Sequence, residues 1–526
     1  MPTTWISTRP GAERYTFREA VVSGWAQNGG MLMPDPMPSP VSAETMAAWA
    51  KLSYPELAVA VLSRFADDPA DAALVASAAE AFVLFGHDDV VTMRDLPGDA
   101  AAAVAELWHG PTLAFKDLGM SVLMRFLGRI LEDKGGDDDR LTLLVGTSGD
   151  TGPAALEAVR AVASPRLDCI VLYPIGRVSV VQEAQMVVAD REAASCVVAG
   201  CEGTSDDLDR PCAAVMNDSA FRAAHKLGTV NSVNVVRMTV QIVHYFWAYF
   251  RATAGHWAAA ADGSAAPAAA AAPEVVFSVP TGAAGHMIAG LLAARLGLPA
   301  RTVIAQNAND TMVRCIRDGV LQLPAEVAAT KSNAMDIAAP YNVERILHAL
   351  LLKDSGASSA DPRVEEVMRV FNAGGAAAVP PEAVAELQRL YAPYTVTDAA
   401  VAATVREVAA AGYTIDPHTA VGVSALRRYR ADVASDAATP AVCMGCAHPA
   451  KFAEVVGDAL GKDAAEAVPD PEHRNVKQAM KLRAESLASG VFAQGLPVFR
   501  DGADWEAQLR GLVEGVTERR AKERKS

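Results

Sequence analysis

Cysteine is scarce, with seven in 526 residues, scattered and without zinc-site spacing. That excludes a disulfide scaffold and leaves reduced thiols in a cytoplasmic protein as the expectation. Long apolar runs are missing too. The nearest approach, Val230 to Phe250, is interrupted by Asn231, Asn234, Arg237, Gln241 and His244, so no membrane span is expected. The first residues, Met1-Pro-Thr-Thr-Trp5, lack a basic stretch followed by an apolar one, so no secretory signal is read there. Positive charge is short: 47 Lys and Arg stand against 62 Asp and Glu, a net charge of -15, which argues against nucleic-acid or anionic-membrane partners. No His, Cys or acidic cluster has metal-ligand spacing, and no metal is expected.

What the chain has is enough apolar material, 51% hydrophobic residues, for two or three domains with large cores. The stretch around which it is organised is His109-Gly-Pro-Thr-Leu-Ala-Phe-Lys116-Asp117. Beyond it Leu118, Val122, Leu123, Phe126, Leu127, Ile130 and Leu131 fall at helical spacing. Lys116 therefore sits at a helix start beside an apolar face. There its charged form is disfavoured and its amine is a candidate Schiff-base former. An ordinary surface lysine in a first turn is the plainer alternative.

In chain order, residues 1–95 read as a mostly helical region, with helices expected over Thr16 to Gln27 and Ala43 to Ala66. Leu141 to Val145, Leu167 to Leu172, Cys196 to Ala199, Glu274 to Val279 and Ala441 to Met444 are short apolar runs, the mark of strands buried on both faces. Helical segments alternate with them, which predicts parallel sheets with crossover helices. On the helix expected from Asn231 to Phe250, Asn234, Arg237, Gln241 and Tyr245 share one face. That stripe lines a cavity or meets solvent. Ala258 to Pro273 is low-complexity and reads as a surface insertion, residues 353–380 as a Gly/Ala/Ser-rich connection, and Thr517 to Ser526 as a solvated tail. Asp398 is the expected cap of a helix to Ala411.

Three strand-to-helix loops share one design: Gly146 to Gly152, Thr281 to His286 and Gly445 to His448. Such loops gather at the carboxyl ends of parallel strands, and their glycines and helix starts suit anions. None ends in Gly-Lys-Ser/Thr and none is Gly-x-Gly-x-x-Gly, so a nucleotide loses ground. A lysine at a helix start with two anion cups fits pyridoxal phosphate and an amino-acid carboxylate.

With these residues in view, the chain resembles the threonine synthases, fold-type II (tryptophan-synthase-β-like) pyridoxal-phosphate enzymes, in their long fungal and bacterial form. The resemblance rests on His109–Asp117, Thr147-Ser-Gly-Asp-Thr-Gly152, Val178–Met186, Asn231–Asn234, Val279-Pro-Thr-Gly282, Ser332–Ile337, Asp416–Val421 and Ala447–Phe452, with Phe17–Ala20 and Gly29-Gly30 agreeing. It implies an α/β fold with parallel sheets flanked by helices and an N-terminal extension domain (1–95). It further implies a large cofactor domain (96–139 and 226–526) and a small mobile domain (140–225) that shuts over substrate. It also implies conversion of O-phospho-L-homoserine and water to L-threonine and phosphate with pyridoxal 5'-phosphate, by a monomer or weak homodimer.

The resemblance assigns Lys116 to the cofactor aldehyde and to proton transfer. It gives Gly282, Ala283, Ala284, Gly285 and His286 to the cofactor phosphate, and Cys446 to the ring nitrogen. Thr147, Ser148, Gly149, Asp150 and Thr151 fall to the substrate carboxylate, and Arg237, Asn342 and Arg345 are candidates for the substrate phosphate, with a structural ion pair or hydrogen bond as the alternative for each. His109 and His448 are read as braces of their loops. Two positions depart from the family's pattern. Its phosphate cup usually reads Gly-Asn-Phe-Gly-Asp where Gly282-Ala-Ala-Gly-His286 stands, and it usually has Thr at Cys446. A phospho-lyase releasing 2-oxobutyrate and a non-catalytic homologue with a binding role are the alternatives.

Overall fold

The computed structural model describes residues 2–136, 139–261, 272–352, 360–468, 496–523 and positions 477, 478, 480, 481 and 484. Two sheets dominate. The first runs in the order Tyr391–Thr395, Ala300–Gln306, Val275–Pro280, Ala441–Gly445, Ala102–Glu106, Thr92–Asp95. All its neighbours are parallel except the last pair. The second runs Val498–Phe499, Cys196–Cys201, Leu167–Pro174, Leu141–Gly146, Leu227–Thr229, parallel throughout. Every residue of Val275–Pro280 and of Leu167–Pro174 is buried. Helices on both faces explain why these strands read as continuous apolar runs rather than as alternation.

The helix Lys116–Lys134 buries the predicted stripe and ends at Gly135, whose φ of 73° is the left-handed stop that glycine supplies. Its Gly128 lets Val162 of the helix Thr151–Val162 approach. A Cβ there would lie 2.9 Å from the Val162 side chain. The helix Val235–Ala252 is buried from Val235 through Phe250. No described helix is long and apolar enough to cross a membrane.

The first 95 residues depart from the helical reading. Thr4–Ser7 pairs antiparallel with Arg14–Tyr15 and with Leu32–Asp35. The helices are shorter, Phe17–Ser23, Ala43–Trp49 and Tyr54–Leu62. The expected single helix over Ala43 to Ala66 splits because Ser53 and Glu56 form a capping box with Pro55 in the first turn, a start signal inside the periodic pattern. The boundary at 95 falls between paired strands, Thr92–Asp95 and Ala102–Glu106. The cap of Asp398–Ala410 is Thr397, one residue earlier than expected. Part of the 353–380 connection is structured, as helix Pro362–Asn372 and strand Ala377–Ala378. The alanine-rich insertion lies mostly outside the described residues.

The tail is also more than a solvated end. Helix Trp505–Glu523 buries Leu509, Val513 and Val516 against Leu144, Ile170 and Leu172 of the second sheet. Residues 496–523 thus return to the lobe built around the second sheet. Arg519 and Arg520 both donate to the buried Asp168 carboxylate, at 3.1 and 2.8 Å. Asp168→Asn removes the charge under two guanidinium groups and is expected to destabilise the protein by about 2 kcal/mol. Urea unfolding followed by circular dichroism checks this. An unchanged midpoint would show that the helix is held by its apolar face alone.

Candidate active site

Lys116 is the first residue of its helix, and the turn before it is tightly braced. Asp117 accepts from the Thr112 amide at 2.8 Å and from the Thr112 hydroxyl at 2.6 Å. The Phe115 amide donates to the Cys446 carbonyl at 2.8 Å, tying this turn to the loop after Ala441–Gly445. The Lys116 side chain is 14% exposed. Its Nζ lies 3.4 Å from Asp150 Oδ2 and 4.6 Å from the centre of the Phe115 ring. Burial lowers its pKa, and the Asp150 charge opposes that shift. Burial pushes the Asp117 carboxyl up to about 6 against the pull of Lys451 and Thr112.

The turn from the second sheet supplies Asp150. Thr147 Oγ1 accepts from the amides of Gly149 and Gly152, both at 3.0 Å, and holds the loop in a tight curve. Gly149 has φ 134°, and a Cβ there would meet the Gln182 carboxamide at 2.5 Å, so only glycine fits. The same carboxamide donates to Asp150 Oδ1 at 2.8 Å. Lys451 Nζ lies 3.1 Å from that oxygen. Burial raises the Asp150 pKa, but Lys451 and Lys116 overcome it and hold the carboxylate far below its usual range. The Ser148 hydroxyl crosses to the first lobe, the part built around the first sheet, and donates to the Ala334 carbonyl at 3.0 Å.

The third turn leads from Val275–Pro280 into the helix Gly285–Arg295, with Ala284 in the left-handed region at φ 61°. His286 stacks on Phe115 (12° between planes, centroids 5.9 Å apart). Its Nε2 is 3.3 Å from His244 Nδ1. Burial pushes His286 down to about 3, so it is neutral near pH 7. The fourth turn places Cys446 with its amide donating to Thr419 Oγ1 at 2.9 Å and its thiol to the Met444 carbonyl at 3.7 Å. Cys443 and Cys446 have Cys-x-x-Cys spacing in the sequence, yet both are free thiols, and burial raises both pKa values.

These turns line one cavity. Lys116, Thr147, Ser148, Asp150, Thr151, Arg237, Gly282, Ala283, Ala284, Gly285, His286 and Cys446 are on its wall. Gly149 sits in the curve behind it.

Asn342 and Arg345 are placed elsewhere. Asn342 donates to Ser232 Oγ at 3.2 Å and to the Ala283 carbonyl at 3.0 Å. The Arg345 guanidinium is taken up by the carbonyls of Leu32 (3.2 Å), Ser232 (3.1 Å) and Val233 and by Asn342 Oδ1 (2.9 Å). Both brace the cup from behind, and neither is on the cavity wall. Of the polar stripe, Arg237 and Gln241 face the cavity, Asn234 caps the helix, and Tyr245 packs on Gly290 and donates to the His286 carbonyl. Burial lowers the Arg237 pKa to about 10. His109 bonds Thr92 at 2.8 Å, and His448 caps the Ala450 amide, as loop braces.

The sequence reading missed His418 and Lys451 as site residues. His418 lines the cavity. Its Nδ1 meets Asp416 at 2.7 Å and its Nε2 accepts from the Ala334 amide at 3.0 Å. The signal for it was Asp416-Pro-His418, an N-cap with its own histidine two residues on.

Residues 4–82 match a family described as threonine synthase N terminus, and residues 419–486 match threonine synthase, C-terminal. A threonine synthase of Pseudomonas aeruginosa is 35% identical, over 86% of this chain and 89% of its own. The chain belongs to the threonine synthase family. Another relative, human threonine synthase-like 2, is 37% identical over 86% of this chain and 88% of its own. Among solved structures of the family, yeast threonine synthase superposes with a TM-score of 0.82 at 27% identity, covering 99% of both chains. The pyridoxal-phosphate-bound threonine synthase of Brucella melitensis gives 0.77 at 30% identity, covering 98% of this chain and 99% of that one. The fold is thus that of the fold-type II threonine synthases.

Proposed function

We propose that this chain converts O-phospho-L-homoserine and water to L-threonine and phosphate, with pyridoxal 5'-phosphate as its cofactor. One observation carries the reading. Lys116 shares a single cavity with two glycine-bearing turns, one from each sheet, and with Arg237. The residues present fit the cofactor. The turn Gly282–His286 opens onto the start of an 11-residue helix, whose amides and dipole suit a phosphate without any side-chain donor. A Cβ at Gly282 would lie 3.1 Å from Ile337, so the backbone is bare there. The neutral Cys446 thiol offers the ring nitrogen only a weak partner.

When bound, the cofactor supplies an electron sink for charge at the substrate's α carbon. The protein does the rest. Lys116 would hold the cofactor at its aldehyde carbon, and its amine would move protons at the substrate's α and β carbons. In the turn from the second sheet the Ser148 and Thr151 amides and the Thr151 hydroxyl hold the substrate carboxylate, while Thr147 and Gly149 shape the curve through the Gly149 amide bond to Thr147 Oγ1. Asp150, being ionised, acts on Lys116 rather than on that carboxylate. Arg237 meets the substrate phosphate, as guanidinium suits an oxyanion, and Asn342 and Arg345 keep the cup in shape.

Incubating the purified protein and cofactor with O-phospho-L-homoserine is expected to yield threonine and phosphate in equal amounts, read by amino-acid analysis and phosphate assay. Phosphate with 2-oxobutyrate in place of threonine would make it a phospho-lyase. Absence of turnover would leave a binding role.

A further inference from the structure

Lys451 is fully buried and bears no part in the reaction as derived so far. Its backbone belongs to the short turn Pro449–Phe452 of the first lobe. Its Nζ donates to the Thr112 carbonyl at 2.8 Å, in the turn just before Lys116. It also lies 3.1 Å from Asp150 Oδ1, while Lys116 Nζ lies 3.4 Å from Asp150 Oδ2. One carboxylate is therefore shared by two lysines, one on each oxygen. The Ser179 hydroxyl donates to the Lys451 carbonyl at 2.7 Å, so residues from the other lobe hold this lysine on its backbone side as well.

We propose that Lys451 is a positioning residue that keeps the Lys116 amine in its uncharged, nucleophilic form by competing with it for the Asp150 carboxylate. An ammonium group cannot attack a carbonyl carbon. A lysine is activated by desolvation or by a neighbouring cation, and Lys451 supplies the second. It occupies one Asp150 oxygen that would otherwise stabilise the Lys116 ammonium, and its own charge repels that ammonium. The groups facing Lys116 are Asp150, Cys446, Arg237 and Lys451, and those facing Asp150 include His418 and Gln182. Among the charges facing Lys116, Asp150 favours its ammonium form, while Arg237 and Lys451 disfavour it. Asp117 also faces Lys451 and is braced by Thr112.

The inference deepens the proposed function, since it rests on Lys116 as the reactive amine. It can be tested apart from turnover. Cofactor-free protein is pulse-labelled with acetic anhydride across a pH series, and acetylation of Lys116 is quantified by peptide mass spectrometry. In Lys451→Met the labelling midpoint of Lys116 is expected to rise by about one pH unit. Lys451→Arg, which keeps the charge, should stay near the parent value. Asp150→Asn should move the midpoint down. A Lys451→Met midpoint equal to the parent's, or Met and Arg variants shifted alike, overturns the proposal. Should Lys451→Met not fold, Lys451→Gln retains a donor for the Thr112 carbonyl and is read the same way. Failure of both to fold, with Asp150→Asn folded, would make Lys451 a structural lobe bridge and also overturn it. A protein that forms no threonine yet shows these shifts sinks the proposed function and leaves this inference standing.

Discussion

Lys116→Ala is expected to lower threonine formation by about 10⁴-fold, the upper end of what positioned acid–base groups supply. The substitution removes both the amine that bonds the cofactor and the group that moves protons. No other lysine replaces it. Lys451 is the other lysine at this site, and its Nζ is held by the Thr112 carbonyl and Asp150. The fold should survive, because Lys116 is the first residue of its helix and the neighbouring turn is held by Asp117, Thr112 and the Phe115–Cys446 amide bond. Cofactor absorbance retained on the protein after gel filtration should fall with activity. A variant with unaltered thermal midpoint but full turnover would take Lys116 out of its role.

His348→Leu is expected to make the protein more acid-tolerant than its parent, by about 3 kcal/mol at pH 4 relative to their difference at pH 7. His348 lies on the helix Val343–Leu351, is buried, and has no hydrogen-bond partner on Nδ1. Burial pushes its pKa down to about 4, partly opposed by a backbone bond to Thr8. The unfolded chain takes up the proton as pH falls through the ordinary histidine value near 6.5, while the folded chain resists until about 4. The histidine's contribution to stability is therefore intact above about pH 6.5 and is lost on going down to about 4. Leucine has nothing to titrate. Buried carboxyls with raised values, such as Asp117, push the total the other way, so the comparison between variant and parent is the quantity to measure. Urea unfolding of both at pH 7 and pH 4 reads it. Parallel losses in the two proteins would rule out a neutral buried His348.

The parts of the fold that were legible are those in which local pattern and tertiary role agree. Leu167 to Leu172 and Glu274 to Val279 read as strands buried on both faces because parallel sheets leave no polar face to show, and the strands formed are Leu167–Pro174 and Val275–Pro280. Lys116 could be placed at a helix start from the stripe alone. The split at Ser53 was missed because helical periodicity continues across a cap, and the capping box was the competing signal. The N-terminal strands were missed because Arg14–Tyr15 and Thr4–Ser7 are too short to show a period of two.

By itself the sequence determined the central strands of the two parallel sheets, which lysine starts its helix beside an apolar wall, and which turns are rich in glycine. Each follows from neighbours within a few residues, where spacing and glycine content act directly. Only the tertiary structure decided which cations are free. Arg237 reaches the cavity while Arg345, equally plausible in the sequence, is held by backbone carbonyls from two distant segments, at Leu32 and at Ser232–Val233. It also decided that the Asp150 carboxylate lies between two lysines 34 and 301 residues away along the chain. Hydrogen-bond saturation and charge sharing depend on what is brought within about 3 Å in space, and separation along the chain carries no record of that.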